Sequence, residues 1–509
     1  MVSAVPVTRP APWEKVPDHD QLFILITGAN SGIGLGIAQR LIDEFLATRP
    51  PTAHLVLIPT TRSARKSLET IRTLRAYAEA AARALESVLR RRRGPGVPIP
   101  AEHRWQDIVA RIHVLSLALD LCDLRGLYAF ADALCDGTVS NPPGLEGEYL
   151  TDVRVPRLDS VVYNAAYGGW EGVNWVGAVK SFFGKGLIET ATYPDFKNAL
   201  PTCILNERES YPPPFGGRSG PEKPLLGEVF AACTFGHYCL THKLRPLLSR
   251  PRDSSLAPGR VIWSSSIEAH CNTFSVDDLQ CFTRAAAYES AKRLTDILCL
   301  TSTLPHVRPH TRALVGASRA GPRSSTHSSD SDTDVDSSDS PDDLVGPRMY
   351  LSHPGIVAST LFPLPAFLFW LYQFALVLCR WCGSPWHTGN GYRGALAPVW
   401  LATRPQPALD ELAAERVKWG SARDRGGQSF VKPTEVEGWG WRGEVEDPDA
   451  EEQEEYDGSP AAMRNSCGRR RGAVAATQED IAEFEALGAE CWREMERLRR
   501  QWEDILELE

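Results

Sequence analysis

The chain has 509 residues and is moderately acidic, with 55 Lys and Arg against 64 Asp and Glu and a formal net charge of −9. This balance argues against nucleic acid as a partner, because nucleic-acid binding needs clustered positive charge. The 12 cysteines follow no disulfide-like or zinc-like spacing, which favours reduced thiols and predicts no metal site. Residues 1–20 contain prolines and charges where a signal peptide would be apolar, so we expect a flexible N-terminus and a body that faces the cytosol.

The most informative pattern lies near the N-terminus, where the apolar run Leu22–Ile26 precedes a glycine-rich turn and a helical pattern. Glycines let this turn bend sharply and approach a phosphate without a Cβ in the way, and the following helix directs free N–H groups at that phosphate. The pattern therefore predicts a dinucleotide site between a strand and a helix. Its predicted cofactor contacts are Thr27, Gly28, Asn30, Ser31, Gly32, Ile33 and Gly34.

A second pattern, Tyr-x-x-x-Lys, places Tyr288 and Lys292 one turn apart on a predicted helix. The phenol has an ordinary pKa near 10, so we expect the neighbouring cation to favour its ionised form. The pair follows a predicted strand that ends in three serines, 264–266, at the sheet edge where α/β folds bind ligands. The same spacing at Tyr193 and Lys197 is interrupted by a proline and follows no such strand, so we reject it as the active site.

Residues 21–402 are interpreted as one domain that carries two inserts, at 169–226 and 305–346. The first insert is rich in proline and glycine. The second is rich in serine and aspartate, has little apolar surface to bury, and is expected to be disordered.

Residues 361–382 form the most apolar part of the chain. Its continuous run, 366–379, is too short to cross a hydrocarbon core of about 30 Å comfortably. We expect a helix that lies in a membrane interface, with aromatic side chains at the headgroup boundary. A helix buried in the protein core is the alternative.

The C-terminal part is predicted to contain an extended linker, 403–476, and an amphipathic helix, 477–509. Thr477 and Asp480 have the spacing of a capping box at the start of this helix. Its apolar seam repeats every three or four residues and must pack either on its own domain or on another helix.

With Asn164-Ala165-Ala166 and His353-Pro354-Gly355 added, the motifs resemble those of the short-chain dehydrogenase/reductase family over about residues 20–400. The resemblance implies an α/β fold with a Rossmann-type, doubly wound parallel sheet. It also implies Ser266, Tyr288 and Lys292 as catalytic residues, with Ser265 as the second choice of serine. Further cofactor contacts implied by it are Asp120, Leu121, Asn164, Ala165, Tyr288, Lys292, Pro354, Gly355 and Ser359.

The choice of cofactor depends on the residues just after the second predicted strand, 55–58. An acidic residue there would bind a ribose diol, whereas arginine suits a 2′-phosphate. Arg62 stands at this point, with Arg65 and Lys66 close behind. The sequence therefore favours NADPH.

Several strings narrow the resemblance to the fungal 3-keto-steroid reductases of ergosterol synthesis; they lie at 229–238, 288–294, 352–357 and 383–388. This implies NADPH-dependent reduction of a 3-oxo sterol to a 3β-hydroxyl during C4 demethylation. It also implies a location on the cytosolic face of the endoplasmic reticulum membrane or on lipid droplets, near other enzymes of that demethylation.

One residue departs from the family pattern, because Cys233 stands where family members usually carry asparagine. A thiol is a weak hydrogen-bond donor. Two alternatives therefore stay open: a reductase of another lipophilic ketone, such as a 17-oxo steroid, and a nucleotide-binding scaffold for a sterol enzyme complex.

Overall fold

The computed structural model describes residues 10–93, 100–145, 150–199, 225–315, 344–358, 366–447 and 474–508. Its strands are β1 (Gln21–Ile26), β2 (His54–Thr61), β3 (Ile112–Val114), β4 (Leu117–Ala118), β5 (Ser160–Tyr163), β6 (Trp170–Val173), β7 (Lys197–Ala199), β8 (Arg250–Pro251), β9 (Arg260–Ser264), β10 (Leu344–Val345), β11 (Arg348–His353), β12 (Lys418–Arg423) and β13 (Ser429–Thr434).

The helices begin with α1 (Gly32–Thr48), α2 (Ala64–Arg93), α3 (Trp105–Val109), α4 (Leu124–Cys135), α5 (Trp175–Lys185), α6 (Leu187–Thr192), α7 (Glu228–Phe230), α8 (Gly236–Lys243) and α9 (Arg245–Leu248). They continue with α10 (Ala287–Thr301), α11 (Arg308–Val315), α12 (Ala366–Trp381), α13 (Gly391–Gly394), α14 (Leu396–Thr403), α15 (Gln406–Glu411) and α16 (Gln478–Leu506). A π-helical segment, Ala231–Phe235, connects α7 to α8.

Within the described ranges, a nine-stranded sheet has the order β13-β12-β11-β9-β5-β1-β2-β3, with β4 beside β2. Its neighbouring strands run parallel, except that β13 is antiparallel to β12. The chain crosses from β1 outward to β3 and then returns through β5 to the other side, which is the doubly wound arrangement. The predicted fold class is confirmed.

The sheet is covered by helices on both faces, and β1 shows how its sequence allows this. All six residues of β1 are buried. Phe23 and Leu25 join a core with α4, α10 and α16, whereas Ile24 and Ile26 join a core with α1, α2 and α14. A strand buried on both faces reads as a continuous apolar run instead of an alternating one, as Leu22–Ile26 does.

The prediction of an extended linker over 403–476 is wrong for residues 406–434, which form α15, β12 and β13. All six residues of β12 are buried, among them Trp419 and Lys418. The strands escaped prediction because lysine, arginine and serine interrupt their apolar pattern, and those polar side chains are buried by partners distant in sequence. Residues 448–473 lie outside the described part of the chain.

The prediction of a flexible N-terminus over 1–20 is wrong for its second half. Trp13 is 1% exposed and packs edge-on against Phe23, with ring centroids 5.6 Å apart. The Gln21 side chain donates a hydrogen bond of 3.0 Å to the Trp13 carbonyl. A single large aromatic residue among charges and prolines fixes this segment on the core, and such a residue carries no periodic signal.

The C-terminal helix packs on its own domain. Thr477 and Asp480 form the predicted capping box at the start of α16. The Trp492 indole donates to the Leu298 carbonyl of α10 at 3.1 Å, and Gly488 lies against Thr301. The apolar seam is therefore covered by the catalytic body of the same chain.

The two inserts and the apolar stretch contain regular structure. In the first insert, β6 and β7 form an antiparallel hairpin that encloses α5 and α6. In the second, the expected disorder over 305–346 is wrong for 308–315 and 344–345, which form α11 and β10, and residues 316–343 lie outside the described residues. In 361–382 the structure has α12. None of the helices in the described ranges combines the length and the apolar character needed to cross a membrane.

Candidate active site

The glycine turn, residues 27–34, lies at the carboxyl end of β1, as predicted. Gly28 has φ +66° and approaches the backbone of Ala165 so closely that a Cβ would lie 2.9 Å from its Cα. A Cβ on Gly34 would lie 2.3 Å from the Gly28 carbonyl oxygen. Ser31 and Gly32 are exposed at the N-terminus of α1, where helix N–H groups are free to bind an anion. The residues present therefore fit a pyrophosphate.

Thr27 and Asn164 fasten this turn to the end of β5. The Thr27 hydroxyl oxygen accepts hydrogen bonds from the backbone N–H groups of Asn164 and Ala165, each at 3.0 Å. The Asn164 amide donates to the carbonyls of Thr27 and Gly28 at 3.2 and 3.3 Å. Thr27 is fully buried. Its side chain therefore shapes the turn from behind instead of reaching toward a ligand.

His237, which sequence reasoning gave no role, completes this support. Its Nε2 lies 2.9 Å from the Thr27 hydroxyl and its Nδ1 lies 3.1 Å from the Cys233 carbonyl. Because the Thr27 oxygen already accepts two N–H groups, its hydroxyl donates to Nε2 and Nδ1–H donates to the carbonyl. Burial lowers the pKa of His237 to about 3, with a smaller contribution from Lys292, so the ring is neutral.

Ser266, Tyr288 and Lys292 come together at the carboxyl end of β9. Tyr288 and Lys292 lie on α10, and the Lys292 ammonium donates 2.6 Å to the Ser264 carbonyl while its nitrogen lies 5.6 Å from the Tyr288 ring centroid. The Ser266 and Tyr288 side chains share a hydrogen bond. The three catalytic residues predicted from the sequence thus form one group.

The protonation tendencies of this group follow its burial. Burial raises the pKa of Tyr288 well above its ordinary value, Cys233 and Glu268 add to the rise, and the Ser266 hydrogen bond opposes it. Burial lowers the pKa of Lys292, and the negative charge of Asp296 opposes this fall. The expected lowering of the phenol pKa by the cation is therefore outweighed, and the phenol holds its proton at neutral pH. A protonated phenol is the form that can donate a proton.

The structure separates the two candidate serines. Both serines line the cavity, but the Ser265 hydroxyl is buried and donates to the Asp296 carboxylate, whereas the Ser266 side chain hydrogen-bonds Tyr288. Lys418, from β12, donates to the second Asp296 oxygen at 2.6 Å and to the Ser266 carbonyl at 2.7 Å. Ser265 therefore holds the loop in place, and Ser266 is the candidate serine whose side chain lies beside Tyr288. Asp296 and Lys418 were missed because neither belongs to a recognisable local motif.

Cys233 lies in the π-helical segment beside Tyr288. Its thiol donates to the Tyr167 carbonyl at 3.4 Å and accepts from the Tyr167 N–H at 3.5 Å. The π-helical backbone thus places the thiol against the chain three residues after Asn164. Burial raises the pKa of Cys233, partly opposed by Lys292, so the thiol is neutral.

A cavity of about 460 Å³ opens beside the catalytic group, and its wall is mostly apolar. Ile33 of the glycine turn and Pro354 and Gly355 from the loop after β11 border it, so the cavity adjoins the predicted cofactor site. Tyr372 on α12 lines the outer side. The first insert supplies much of the remaining wall, through Trp170, Val173, Trp175, Ala178, Leu187, Thr190, Ala191, Pro194, Phe196 and Lys197.

Lys197 belongs to this wall although the Tyr193–Lys197 pair was rejected as the catalytic pair. Tyr193 packs against His270, with ring centroids 5.3 Å apart, and the catalytic phenol remains Tyr288. The Lys197 ammonium, by contrast, pairs with Glu268 and Glu289 next to that phenol. Sequence reasoning missed all three charges, since no local pattern links them.

The other predicted cofactor residues lie near the same edge. Arg62 is exposed just after β2, and Asp120 and Leu121 follow β4. Burial raises the pKa of the Cys122 thiol, Asp120 adds to the rise and Arg62 opposes it, so both charges lie near that thiol. The Asn30 side chain donates to Ser31 at 3.3 Å. Ser359 lies outside the described residues.

Comparisons with known proteins agree with this geometry. The chain is 53% identical over 502 residues to the 3-keto-steroid reductase ERG27 of Gibberella zeae, covering 99% of this chain and 98% of the relative. It is 36% identical over 498 residues to the 3-keto-steroid reductase of Aspergillus fumigatus, covering 96% and 95%. It is 24% identical over 415 residues to that of Saccharomyces cerevisiae, covering 81% and 89%. No protein-family model matches the chain.

Among solved structures, salutaridine reductase from Papaver somniferum overlaps 67% of this chain and 88% of its own, at 14% identity and a TM-score of 0.33. The strand order itself defines the fold. A doubly wound sheet with a glycine turn after β1 and a Ser–Tyr–Lys group after β9 is the arrangement of a short-chain dehydrogenase/reductase. Within that class, the chain belongs to the family of fungal 3-keto-steroid reductases.

Proposed function

We propose that this protein reduces the 3-oxo group of a sterol to a 3β-hydroxyl with NADPH, as a step of sterol C4 demethylation in ergosterol synthesis. The observation that carries the proposal is the position of the catalytic group, between the glycine turn and an apolar cavity, in a chain 53% identical to a 3-keto-steroid reductase. The exposed Arg62 after β2 suits the 2′-phosphate of NADPH.

The chain's own residues account for the acid chemistry. When bound, NADPH would supply a hydride to the carbonyl carbon. Tyr288 would donate its proton to the carbonyl oxygen, and Ser266 would hydrogen-bond the same oxygen as negative charge develops there. Lys292 would position the Tyr288 phenol relative to the ribose hydroxyls of the cofactor. The apolar wall would exclude water from the reacting atoms.

The test is reduction of cholestan-3-one, dispersed in detergent, by the purified full-length protein. NADPH absorbance should fall in step with formation of the 3β-alcohol. Tyr288→Phe should lower kcat by about 10³-fold, within the range of general acid catalysis. Full activity of Tyr288→Phe, or no reduction by the unaltered protein, would contradict the proposal. Competition between cholestan-3-one and a 17-oxo steroid distinguishes this proposal from the hypothesis that the enzyme reduces another lipophilic ketone.

We further propose that the enzyme works on the surface of the endoplasmic reticulum membrane or of lipid droplets, near other enzymes of sterol demethylation. Two helices at the cavity carry exposed apolar side chains, with α6 packed between them. On α12, Trp370 is 74% exposed and Phe374 58%; on α5, Phe183 is 82% exposed. Exposed aromatic residues beside a cavity for a lipid-soluble ketone suit the headgroup boundary.

Vesicles of neutral phospholipid test this second proposal. Trp370→Ser with Phe374→Ser should weaken co-sedimentation by about tenfold, because apolar area is lost from the bound face. Val88→Ser, on α2, is the matched control for an exposed apolar residue elsewhere. Equal sedimentation of all three proteins would contradict a role of α12 in binding.

A further inference from the structure

A buried group of three charges adjoins the catalytic phenol. Lys197, the first residue of β7, donates 2.9 Å to the Glu268 carboxylate and also pairs with Glu289. The three side chains are 6%, 13% and 13% exposed. Glu268 follows the catalytic serine by two residues, and Glu289 follows Tyr288 by one. The insert hairpin, β6 and β7, thus sends one cation to two carboxylates of the catalytic body.

The same ammonium contacts the catalytic ring system. Its nitrogen lies 4.1 Å from the Trp170 ring centroid and 5.8 Å from that of Tyr288. Trp170, from the partner strand of the hairpin, packs edge-on against Tyr288 with centroids 4.8 Å apart. Lys197, Trp170, Glu268 and Tyr288 all line the cavity. The hairpin therefore meets the catalytic helix through one charged contact and one ring contact.

The charges matter because proton donation leaves a phenolate. Two carboxylates next to that phenolate oppose its formation, and both raise the pKa of Tyr288 in addition to the effect of burial. Burial lowers the pKa of Lys197, but attraction to Glu268 and Glu289 outweighs it, so the ammonium stays charged. One cation between two anions reduces their combined effect on the phenol from two negative charges to one.

Further groups face this cluster from every side. Cys233 faces Tyr288 from the π-helical segment, Lys292 faces it from α10, and Tyr372 faces Glu268 from α12. Burial raises the pKa of Glu268, repulsion from Glu289 adds to the rise, and Lys197 opposes it. The Lys197 ammonium differs from these groups in coming from the hairpin of the first insert.

We propose that Lys197 is a positioning residue for proton transfer: it offsets Glu268 and Glu289 beside the Tyr288 phenol and fastens the insert hairpin over the substrate cavity. This inference depends on the reductase function proposed above. It predicts that removing the cation raises the pKa of the Tyr288 phenol. The phenol is then a weaker acid, and its phenolate, the base of the reverse reaction, forms only at higher pH.

The test is Lys197→Met in the full-length protein, which keeps most of the length of the side chain and removes the charge. Oxidation of cholestan-3β-ol by NADP⁺ needs the phenolate, so its rate rises with pH. In the variant, this rise should move to higher pH by about one pH unit, and the reduction kcat at pH 7 should fall about tenfold. NADPH binding, measured by fluorescence, should change by less than about twofold.

Three further variants keep the test specific. Lys197→Arg keeps the charge and should retain the pH profile of the unaltered protein. Lys197→Met with Glu268→Gln restores the net charge of the cluster and should move the profile back. Lys185→Met removes another lysine of the same insert, whose ion pair with Asp195 is exposed, and should change nothing.

The outcomes separate the two proposals. An unaltered protein that does not reduce cholestan-3-one overturns the reductase function and this inference with it. An active protein whose Lys197→Met profile is unshifted overturns the inference alone. A fall in kcat that Lys197→Met with Glu268→Gln does not reverse, at an unchanged pH profile, also overturns it, since a merely structural contact would behave in this way.

Discussion

The two sides of the active site are built in different ways. On the glycine-turn side, most contacts are made by backbone and by small side chains that lie within eight consecutive residues and one neighbouring strand end, and His237 adds a distant one. On the cavity side, charged and aromatic side chains converge from far apart in the chain: Lys197 meets Glu289 across 92 positions, and Lys418 meets the Ser266 carbonyl across 152.

This difference arises from the ligand that each side must bind. A phosphate is bound by N–H groups and needs the absence of side chains, so the demand is local and recorded in glycines. A lipophilic ketone needs an apolar enclosure and a tuned acid, and any element that reaches the sheet edge can supply these. The glycine-turn side therefore depends on one short sequence motif, whereas the cavity side combines an insert, a loop, a helix and strand β12.

The largest expected effect tests the glycine-turn side. A Cβ on Gly34 would meet the Gly28 carbonyl oxygen at 2.3 Å and the Asn164 amide at 2.6 Å. Because the first of these atoms is backbone, Gly34→Val must displace the turn, and we expect NADPH binding to weaken by at least about 100-fold. Fluorescence titration measures this. Gly184→Ala, where an added Cβ meets nothing within 4 Å, is the matched control.

Tight NADPH binding by Gly34→Val would break the comparison, because it would mean that the turn tolerates side chains as the cavity side does. Weakened binding by Gly184→Ala would also contradict the comparison, since α5 belongs to the insert and not to the glycine turn.

The same contrast explains which parts of the molecule could be predicted. The fold class followed from local patterns, and the structure confirms it. The roles of Ser266, Tyr288 and Lys292 stay a prediction from local patterns, and the structure brings the three residues to one sheet edge. Lys418 could not be predicted, because β12 mixes lysine and serine with apolar residues and its partner Asp296 lies 122 positions away. Lys197 was judged by its own neighbours, which gave no reason to place it beside Tyr288.

Lys418→Met tests whether the cavity side depends on such distant pairs. Lys418 and Asp296 are 3% and 0% exposed, so removing the cation leaves a buried, unpaired carboxylate. We expect the free energy of unfolding to fall by about 3–5 kcal/mol in urea denaturation. The reduction kcat should also fall, because the Ser266 carbonyl loses its donor.

The double variant Lys418→Met with Asp296→Asn sharpens this prediction. It removes the uncompensated charge, so stability should recover by more than half, while kcat should stay low because the Ser266 carbonyl is still unheld. Lys185→Met, in an exposed ion pair, should cost less than about 1 kcal/mol. If stability and kcat recovered together, the fall in kcat of Lys418→Met would be due only to its loss of stability.

The smallest expected effect concerns His237, which joins the two sides by linking Thr27 of the glycine turn to the Cys233 carbonyl beside Tyr288. Its folded pKa of about 3 lies below the ordinary value of 6.5. Between pH 6.5 and pH 3 the unfolded chain therefore binds a proton at His237 that the folded chain does not bind. The contribution of neutral His237 to the free energy of unfolding is complete above pH 6.5 and is lost as pH falls toward 3. One such group changes the unfolding free energy by about 1.4 kcal/mol per pH unit in that window.

His237→Gln should therefore show a shallower decline of stability between pH 6 and pH 4 than the unaltered protein, measured by urea denaturation at each pH. His113 and His242, also held near 3, add similar slopes in both proteins, so the informative quantity is the difference between the two slopes. Equal slopes would mean that His237 carries a proton in the folded state, and the glycine turn would then be tied to the catalytic helix by some other contact.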